Sequence, residues 1–212
     1  MKRLYVLLSV AAGLACAVPA GAQVFGQYTP ADVLAVNARQ FGAYVDFSEN
    51  TTGLLAQLRL SFYPNVDFGF QGGLSRLDLG SSTKTSLRLG SDVRVGVMRA
   101  GERFPVDVAA GGALGVETTD NYTSIRLGPS VVASRALPLA GESAIVPYAG
   151  AMFCFTNASA HGESATDFSL PLRLGAELRA IPGVRIAAEL QLCLGDDFDD
   201  DTAFTAGVNL PF

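Results

Sequence analysis

Long apolar runs are scarce in this sequence. After residue 22 no uninterrupted hydrophobic stretch approaches the roughly 20 residues that a membrane-spanning helix needs. Yet 49% of all residues are hydrophobic. A spanning helix is therefore excluded from this part of the chain, and the apolar residues must follow another pattern.

Basic residues are also few, and lysine is nearly missing. Lys2 and Lys84 are the only lysines, and the formal net charge is −5 at pH 7. An acidic chain without a basic run argues against nucleic acid as a partner. The other cations are arginines, which suit fixed, multidentate ion pairs better than lysine does.

The N-terminal segment has the features of a secretory signal peptide. Lys2 and Arg3 precede an apolar stretch from Leu4 to about Ala17, and Ala20-Gly21-Ala22 forms an A-x-A cleavage site. We therefore predict export, with residues 1–22 removed and the mature chain beginning at Gln23. A lipoprotein processing site at Leu14-Ala15-Cys16 is the alternative, although Gly13 stands where such sites want a large aliphatic residue.

Beyond residue 38 the apolar residues alternate with polar or small ones. In RQFGAYVDFS, for example, Phe41, Val45 and Phe47 alternate with Tyr44 and Asp46. Alternation is the period of a strand with two different faces. Ten such segments occur, each of them long enough to cross a bilayer, which takes about 9 to 11 tilted residues. They begin near Arg39, Leu54, Asp67, Ser86, Val106, Ser124, Ala144, Phe168, Val184 and Thr202.

The connectors between these segments also fall into two sets. One set comprises Pro64-Asn65, AGERFP, LPLAGES and IPG, whereas ENTTG, LGSSTKT, TTDNY, TNASAHGESATD and GDDFDDD form a more polar set. Short turns at one end and polar loops at the other are typical of an outer-membrane barrel. We therefore predict an all-β fold, a closed up-and-down antiparallel transmembrane β-barrel over residues 39–212. Ten strands are expected, with eight as the alternative count.

Residues 23–38 form a leader between the signal peptide and the barrel. Thr29 can cap a helix and Pro30 can take its first position. The pattern predicts a short helix over Ala31 to Val36, at the periplasmic rim or inside the lumen. No function is assigned to it.

With these segments the chain resembles the small bacterial outer-membrane β-barrel proteins, including porin-like ones. The resemblance rests on the signal peptide, the ten alternating strands and the final row of Phe204, Val208, Leu210 and Phe212. It implies an outer-membrane monomer surrounded by lipid, and a last strand that resembles the signal read by the barrel-assembly machinery. Pro211 departs from that pattern because it cannot donate a ladder hydrogen bond.

Closure of the barrel is expected between the last strand and the first, near Gln40 to Ser48, because unpaired backbone groups find no water in lipid. A soluble lipocalin-like barrel is the structural alternative. It would have an apolar interior, whereas here the second face of the strands carries charges.

Charged residues at inward positions are the candidate lining of the lumen. They can pair into an ion-pair core or line a pore for small solutes, and inward glycines such as Gly42 and Gly207 indicate empty space between them. The predicted lining is Asp46, Arg59, Arg88, Asp92, Arg94, Asp107, Glu117, Arg126, Arg173, Glu177, Arg179, Arg185 and Glu189.

Two other features are candidate sites. The acidic loop of Asp196, Asp197, Asp199, Asp200 and Asp201 is a weak candidate for divalent ions, because it lacks the spacing of a calcium loop. His161, the only histidine, lies in a predicted loop with Glu163, Ser164 and Asp167, a poor place to hold catalytic geometry.

Cys154 and Cys193 are predicted on strands separated by a third strand. Their backbones should lie about 9 to 10 Å apart, whereas a disulfide spans about 7 Å, so we predict thiols. No metal centre and no cofactor are expected.

The functional prediction is a non-enzymatic structural role or passage of small solutes. A surface-binding or adhesion module that acts through the outer loops is the alternative. A lipid- or peptide-modifying barrel enzyme is the more distant one.

Overall fold

The computed structural model describes residues 28–49, 51–78, 83–101, 103–120, 122–160, 163–195 and 202–212. The predicted signal peptide, His161 and the acidic loop lie outside these ranges. Among the described residues no helix is long and apolar enough to cross a membrane.

Twelve strands account for most of the described chain. The strands are β1 (Arg39–Ser48), β2 (Thr51–Tyr63), β3 (Val66–Asp78), β4 (Thr83–Met98), β5 (Asp107–Thr119), β6 (Tyr122–Ser134), β7 (Leu137–Pro138), β8 (Ala144–Met152), β9 (Cys154–Ala160), β10 (Glu163–Ile181), β11 (Val184–Leu194) and β12 (Thr202–Pro211).

The strands form one closed antiparallel barrel with ten strands in its wall. β8 and β9 together make one wall strand, interrupted at Phe153, and both pair with β6 on one side and β10 on the other. The two-residue β7 pairs only with the end of β8. The predicted closed barrel and its count of ten are therefore confirmed.

The barrel closes between β1 and β12, as the sequence predicts. Phe41 lies opposite Leu210 and Phe47 lies opposite Phe204. Pro211 donates no hydrogen bond, but the next residue completes the seam: the backbone N–H groups of Arg39 and Phe212 each donate to the other's carbonyl, at 3.2 and 2.9 Å. The departure at Pro211 thus leaves the seam intact.

The alternation along each strand divides the wall into two chemical faces. In β1 the side chains of Phe41, Val45 and Phe47 are exposed on the outside, whereas Tyr44 and Asp46 are buried inside. Rings also contact one another on the outer face, with Phe153 and Phe155 packing on Phe168 at 5.8 and 5.1 Å between centroids. An apolar outside around a polar inside is the anatomy of a barrel in lipid.

The segment 156–167, expected to be a loop, is largely a hairpin. β9 and β10 pair from Cys154 and Ser169 to Ala160 and Glu163. Its residues are polar or small on both faces, so the sequence lacks the alternation of apolar and polar residues that reveals a strand elsewhere. Paired backbone groups hold it as a ladder all the same.

Candidate functional site

The lumen is the candidate site because it collects most of the charged side chains predicted to line it. Arg179 and Arg185 remain about a quarter exposed, and Asp107 lies at the periplasmic rim, where its carboxylate accepts from the backbone N–H of Ala100. The buried members are Asp46, Arg59, Arg88, Asp92, Arg94, Glu117, Arg126, Arg173, Glu177 and Glu189.

The first charged cluster lies on β2, β3 and β4. Arg59 contacts both Asp67 and Asp92, and its Nη2 lies 2.7 and 2.6 Å from the two oxygens of Asp92. Arg94 makes a two-pronged contact with Asp67, from Nε at 3.1 Å and from Nη2 at 2.8 Å. Two arginines and two carboxylates therefore neutralise one another on this wall, with bidentate geometry that favours arginine.

The second cluster reaches across the lumen. Arg88 on β4 binds Asp46 on β1 through Nη1 and Glu117 on β5 through Nε, both at 3.0 Å. Ser86 adds a hydrogen bond to the same Glu117 oxygen at 2.6 Å. Since β2 and β3 stand between β1 and β4 in the sheet, the Arg88–Asp46 pair bridges two parts of the wall that are not neighbours.

The third cluster lies near the periplasmic end, on β10, β11 and β12. Glu177 accepts from Arg179 Nε at 2.8 Å and from Asn209 Nδ2 at 3.2 Å, and Arg185 lies 3.6 Å away. The Tyr44 hydroxyl donates to Asn209 Oδ1. The cluster thus connects β10 with the seam between β1 and β12.

The inner leader, defined as residues 28–34, lies inside the periplasmic half of the lumen. Tyr28, Thr29 and Ala31 are buried. The rings of Tyr28 and Tyr44 contact each other with centroids 4.6 Å apart. Asp32 at the mouth pairs with Arg179 at 2.7 Å. The inner leader therefore occupies the space at this end of the barrel.

The predicted helix from Ala31 to Val36 is wrong: residues 28–38 contain no helix. Side chains of the barrel wall bind backbone groups of this segment directly. Arg94 Nη1 donates to the Pro30 carbonyl at 2.7 Å, and the N–H of Ala31 donates to Ser134 Oγ at 2.9 Å. Thr29, expected to cap the helix, instead accepts from Arg94 at 2.9 Å.

The inward glycines do not leave the empty space that the sequence suggested. A Cβ added at Gly207 or Gly42 would overlap the Tyr44 side chain, and one at Gly175 would overlap the ring of Tyr148. Tyr44 on β1 therefore lies over Gly207 of β12, and Tyr148 on β8 lies over Gly175 of β10. The missing glycine side chains provide room for rings, and the rings help to fill the lumen.

Sequence reasoning missed several residues of this site, and one of them is central. Asp67 joins Arg59 to Arg94 and also accepts from the N–H of Leu34 at 3.2 Å. The signal was available, because Asp67 has the same strand parity as the inward Gly69 and Gln71. Asp32, Tyr44, Tyr148 and Asn209 were missed as well, since parity gives the face of a residue but not its partner.

The catalytic candidates that lie within the described residues are not brought together. Ser164 and Asp167 both lie on β10, three residues apart, and therefore point to opposite faces of the wall. Cys154 and Cys193 are buried and are not joined by a disulfide, as predicted. They face β10 from its two sides, opposite Ser169 and Pro171. The described residues contain no group of ligands that could hold a metal ion.

An apolar band around the outside, a closed ladder and a charged interior together decide the class of architecture. This is an outer-membrane β-barrel. Its exposed apolar side chains require lipid, because a soluble protein does not expose a continuous apolar surface of this kind.

No protein-family model and no curated protein matches the sequence. Among solved structures, the chain is similar to a bacterial polysaccharide outer membrane secretin with a TM-score of 0.47 and 14% identity, covering 82% of this chain and 69% of that one. It is similar to an outer membrane channel from Pseudomonas putida F1 with a TM-score of 0.45 and 11% identity, covering 90% and 100%.

The chain is also similar to the β domain of the Bordetella autotransporter BrkA, with a TM-score of 0.44 and 14% identity over 82% of this chain and 97% of that domain.

Proposed function

We propose that the protein is a non-enzymatic structural barrel of the outer membrane whose lumen is closed to solutes in its resting state. The observation that carries the proposal is the inner leader inside the periplasmic half of the lumen. It contacts β3, β4, β6, β10 and β12 through Asp67, Arg94, Ser134, Arg179 and Asn209.

The wall clusters support the closed state. An open pore would leave the lining side chains accessible to water, whereas Arg59 and Asp67 are 0% exposed and Arg94 is 1% exposed. Their charges are already bound to one another, so they do not offer a free charge to a passing ion. The Arg88–Asp46 bridge further narrows the lumen.

The absence of an assembled catalytic group among the described residues supports the non-enzymatic part of the proposal. A lipid- or peptide-cleaving activity that depends on His161 would be lost in His161→Ala. We expect no such activity in the unchanged protein, and its appearance would contradict the proposal.

Single-channel recording tests the closed state directly. The full mature chain is refolded, its insertion into a planar bilayer is verified by protease protection, and current is recorded beside an Arg94→Ala, Arg126→Ala variant. We expect no steady conductance from the unchanged chain, whose recordings should show silence or brief openings only. A steady conductance that changes with these arginine substitutions would replace the closed barrel with a lined pore for small solutes.

A further inference from the structure

The contacts of the inner leader differ in kind from those of the wall. Two backbone carbonyls of the leader accept from side chains: Tyr28 from Asn209 Nδ2 at 3.3 Å, and Pro30 from Arg94 Nη1 at 2.7 Å. Two backbone N–H groups donate to side chains: Ala31 to Ser134 at 2.9 Å, and Leu34 to Asp67 at 3.2 Å. The wall therefore binds the leader chiefly through groups that every peptide has.

We propose that the inner leader is a displaceable plug and that its seat in the lumen is a binding site for an extended peptide. The seat is formed by Asp67, Arg94, Ser134 and Asn209, which bind backbone groups, and by Tyr44, which takes one aromatic ring. This inference rests on the proposed closed barrel and adds how the closure is held and released. The ligand class is a short extended peptide with an aromatic residue near its N-terminal end.

Removal of the leader leaves no unpaired charge in the seat. Arg94 keeps both contacts to Asp67, and Asp67 keeps Arg59. At the mouth, Arg179 loses Asp32 but keeps Glu177. A buried ion that loses its last charged partner is strongly destabilising, whereas the hydrogen bonds to the leader can be replaced by water entering the lumen. The charged wall is thus complete in both states.

The leader also has few contacts that would anchor it to the sheet. Among the described residues its backbone pairs with the wall only where β1 is about to begin, through Asn37 and Ala38 with Ser61 at 2.8 and 3.2 Å. Its apolar packing consists of two small clusters. In one, Ala31 and Val33 meet Ala109, Val132 and Tyr148, and in the other Tyr28 meets Tyr44 and Leu55. The segment is held as a ligand is held, by separate polar contacts and small apolar clusters instead of a backbone ladder.

The first test asks whether the seat binds a peptide once the plug is removed. Residues 23–34 are deleted, and the leader is then added back as a free peptide. The shortened chain is refolded into detergent micelles, and a fluorescent synthetic peptide of residues 23–36 is titrated into it. We expect saturable binding to the shortened chain and at least tenfold weaker binding to the full chain, whose seat is occupied. Equal binding to both chains, or binding to neither, would overturn the peptide site.

Modified peptides test whether the seat binds the peptide through its backbone N–H groups. N-methylation of Ala31 and Leu34 removes the two N–H donors and should weaken binding at least tenfold. N-methylation of Val33, whose N–H has no hydrogen bond within the described part of the chain, is the matched control and should change binding less than threefold. A larger loss for the control than for the double modification would contradict the assignment.

Bilayer recording tests the plug. The shortened chain should give discrete conductance that the peptide blocks. If the shortened chain is silent, the plug is overturned while the closed barrel stands. If the full chain already conducts steadily, the proposed closed state is overturned. The peptide titration of the shortened chain then decides the peptide site on its own.

A second variant covers the case in which the shortened chain does not fold. Ala31→Cys and Ser134→Cys are introduced into the full chain together with Cys154→Ser and Cys193→Ser. The oxidised form, with the leader locked, should be silent, and the reduced form should show brief openings. Identical recordings from the two forms would overturn the displaceable plug.

Discussion

The charged wall clusters and the inner leader fill the same lumen in different ways. The clusters join strands that the backbone ladder already holds, and their ions are buried, paired and fixed. The leader lies outside the ladder and is bound through its backbone, with its one ion pair at the mouth. The comparison teaches that the wall clusters should control stability, whereas the leader should control access to the lumen.

The largest stability effect should come from the first cluster. Arg59→Ala leaves the buried Asp92 without its arginine, and removing one partner of a buried ion pair costs about 3 to 5 kcal/mol. The free energy of unfolding would be measured by urea titration of the protein refolded into lipid vesicles. Arg76→Ala, on an exposed residue of β3, is the matched control. A loss below about 1 kcal/mol for Arg59→Ala would contradict the central role of the wall.

The next largest loss of stability is expected from charged substitutions on the outer face, and it tests whether that face contacts lipid. Leu114 is 45% exposed on β5, and an arginine near the middle of the bilayer costs about 2 to 4 kcal/mol. Leu137→Arg, near the periplasmic end, should cost about 0 to 1 kcal/mol by the same titration. Equal costs at the two positions would show that Leu114 does not face the lipid core.

Prediction from sequence succeeded where the two-residue period of a strand alone decides which face a side chain takes. Alternation identified the faces of β1 because successive side chains of a strand point to opposite sides, and it identified Arg59 and Arg94 as inward. It did not pair Arg88 with Asp46, since that contact depends on the stagger and curvature of four strands. The prediction of a helix over Ala31 to Val36 was wrong because it considers only hydrogen bonds between residues close in the sequence. Here Ser134 and Asp67, which are distant in the sequence, bind the backbone of this segment.

An intermediate effect is expected where a tyrosine of the lumen lies on a glycine. Gly207→Ala places a methyl group against the Tyr44 side chain and the Ala43 carbonyl, and overpacking of this kind costs about 1 to 3 kcal/mol. Gly112→Ala, on the outer face, meets only the Gly128 carbonyl at 3.5 Å. Unfolding midpoints of the two variants should separate, and coinciding midpoints would indicate that the ring of Tyr44 moves without cost.

The smallest effect belongs to the leader's ion pair. Arg179 and Asp32 are 25% and 37% exposed, and pairs open to solvent contribute about 0 to 1 kcal/mol. Asp32→Asn should therefore leave the free energy of unfolding nearly unchanged, and any change should shrink further in high salt because exposed charges are screened. An effect as large as that of Arg59→Ala would place the leader among the structural elements of the wall.

The seam between β1 and β12 bears on the order in which the molecule folds. It pairs Phe41 with Leu210, so its contacts join nearly opposite ends of the barrel sequence. Contacts of long sequence separation form late, because the chain must first lose the entropy of the loop between them. The hairpins from β2 to β11 can assemble before that step. The leader is attached directly to β1, so it is carried to the seam as the cylinder closes. Whether it enters before or after that closing step decides if a newly folded molecule starts out filled or empty.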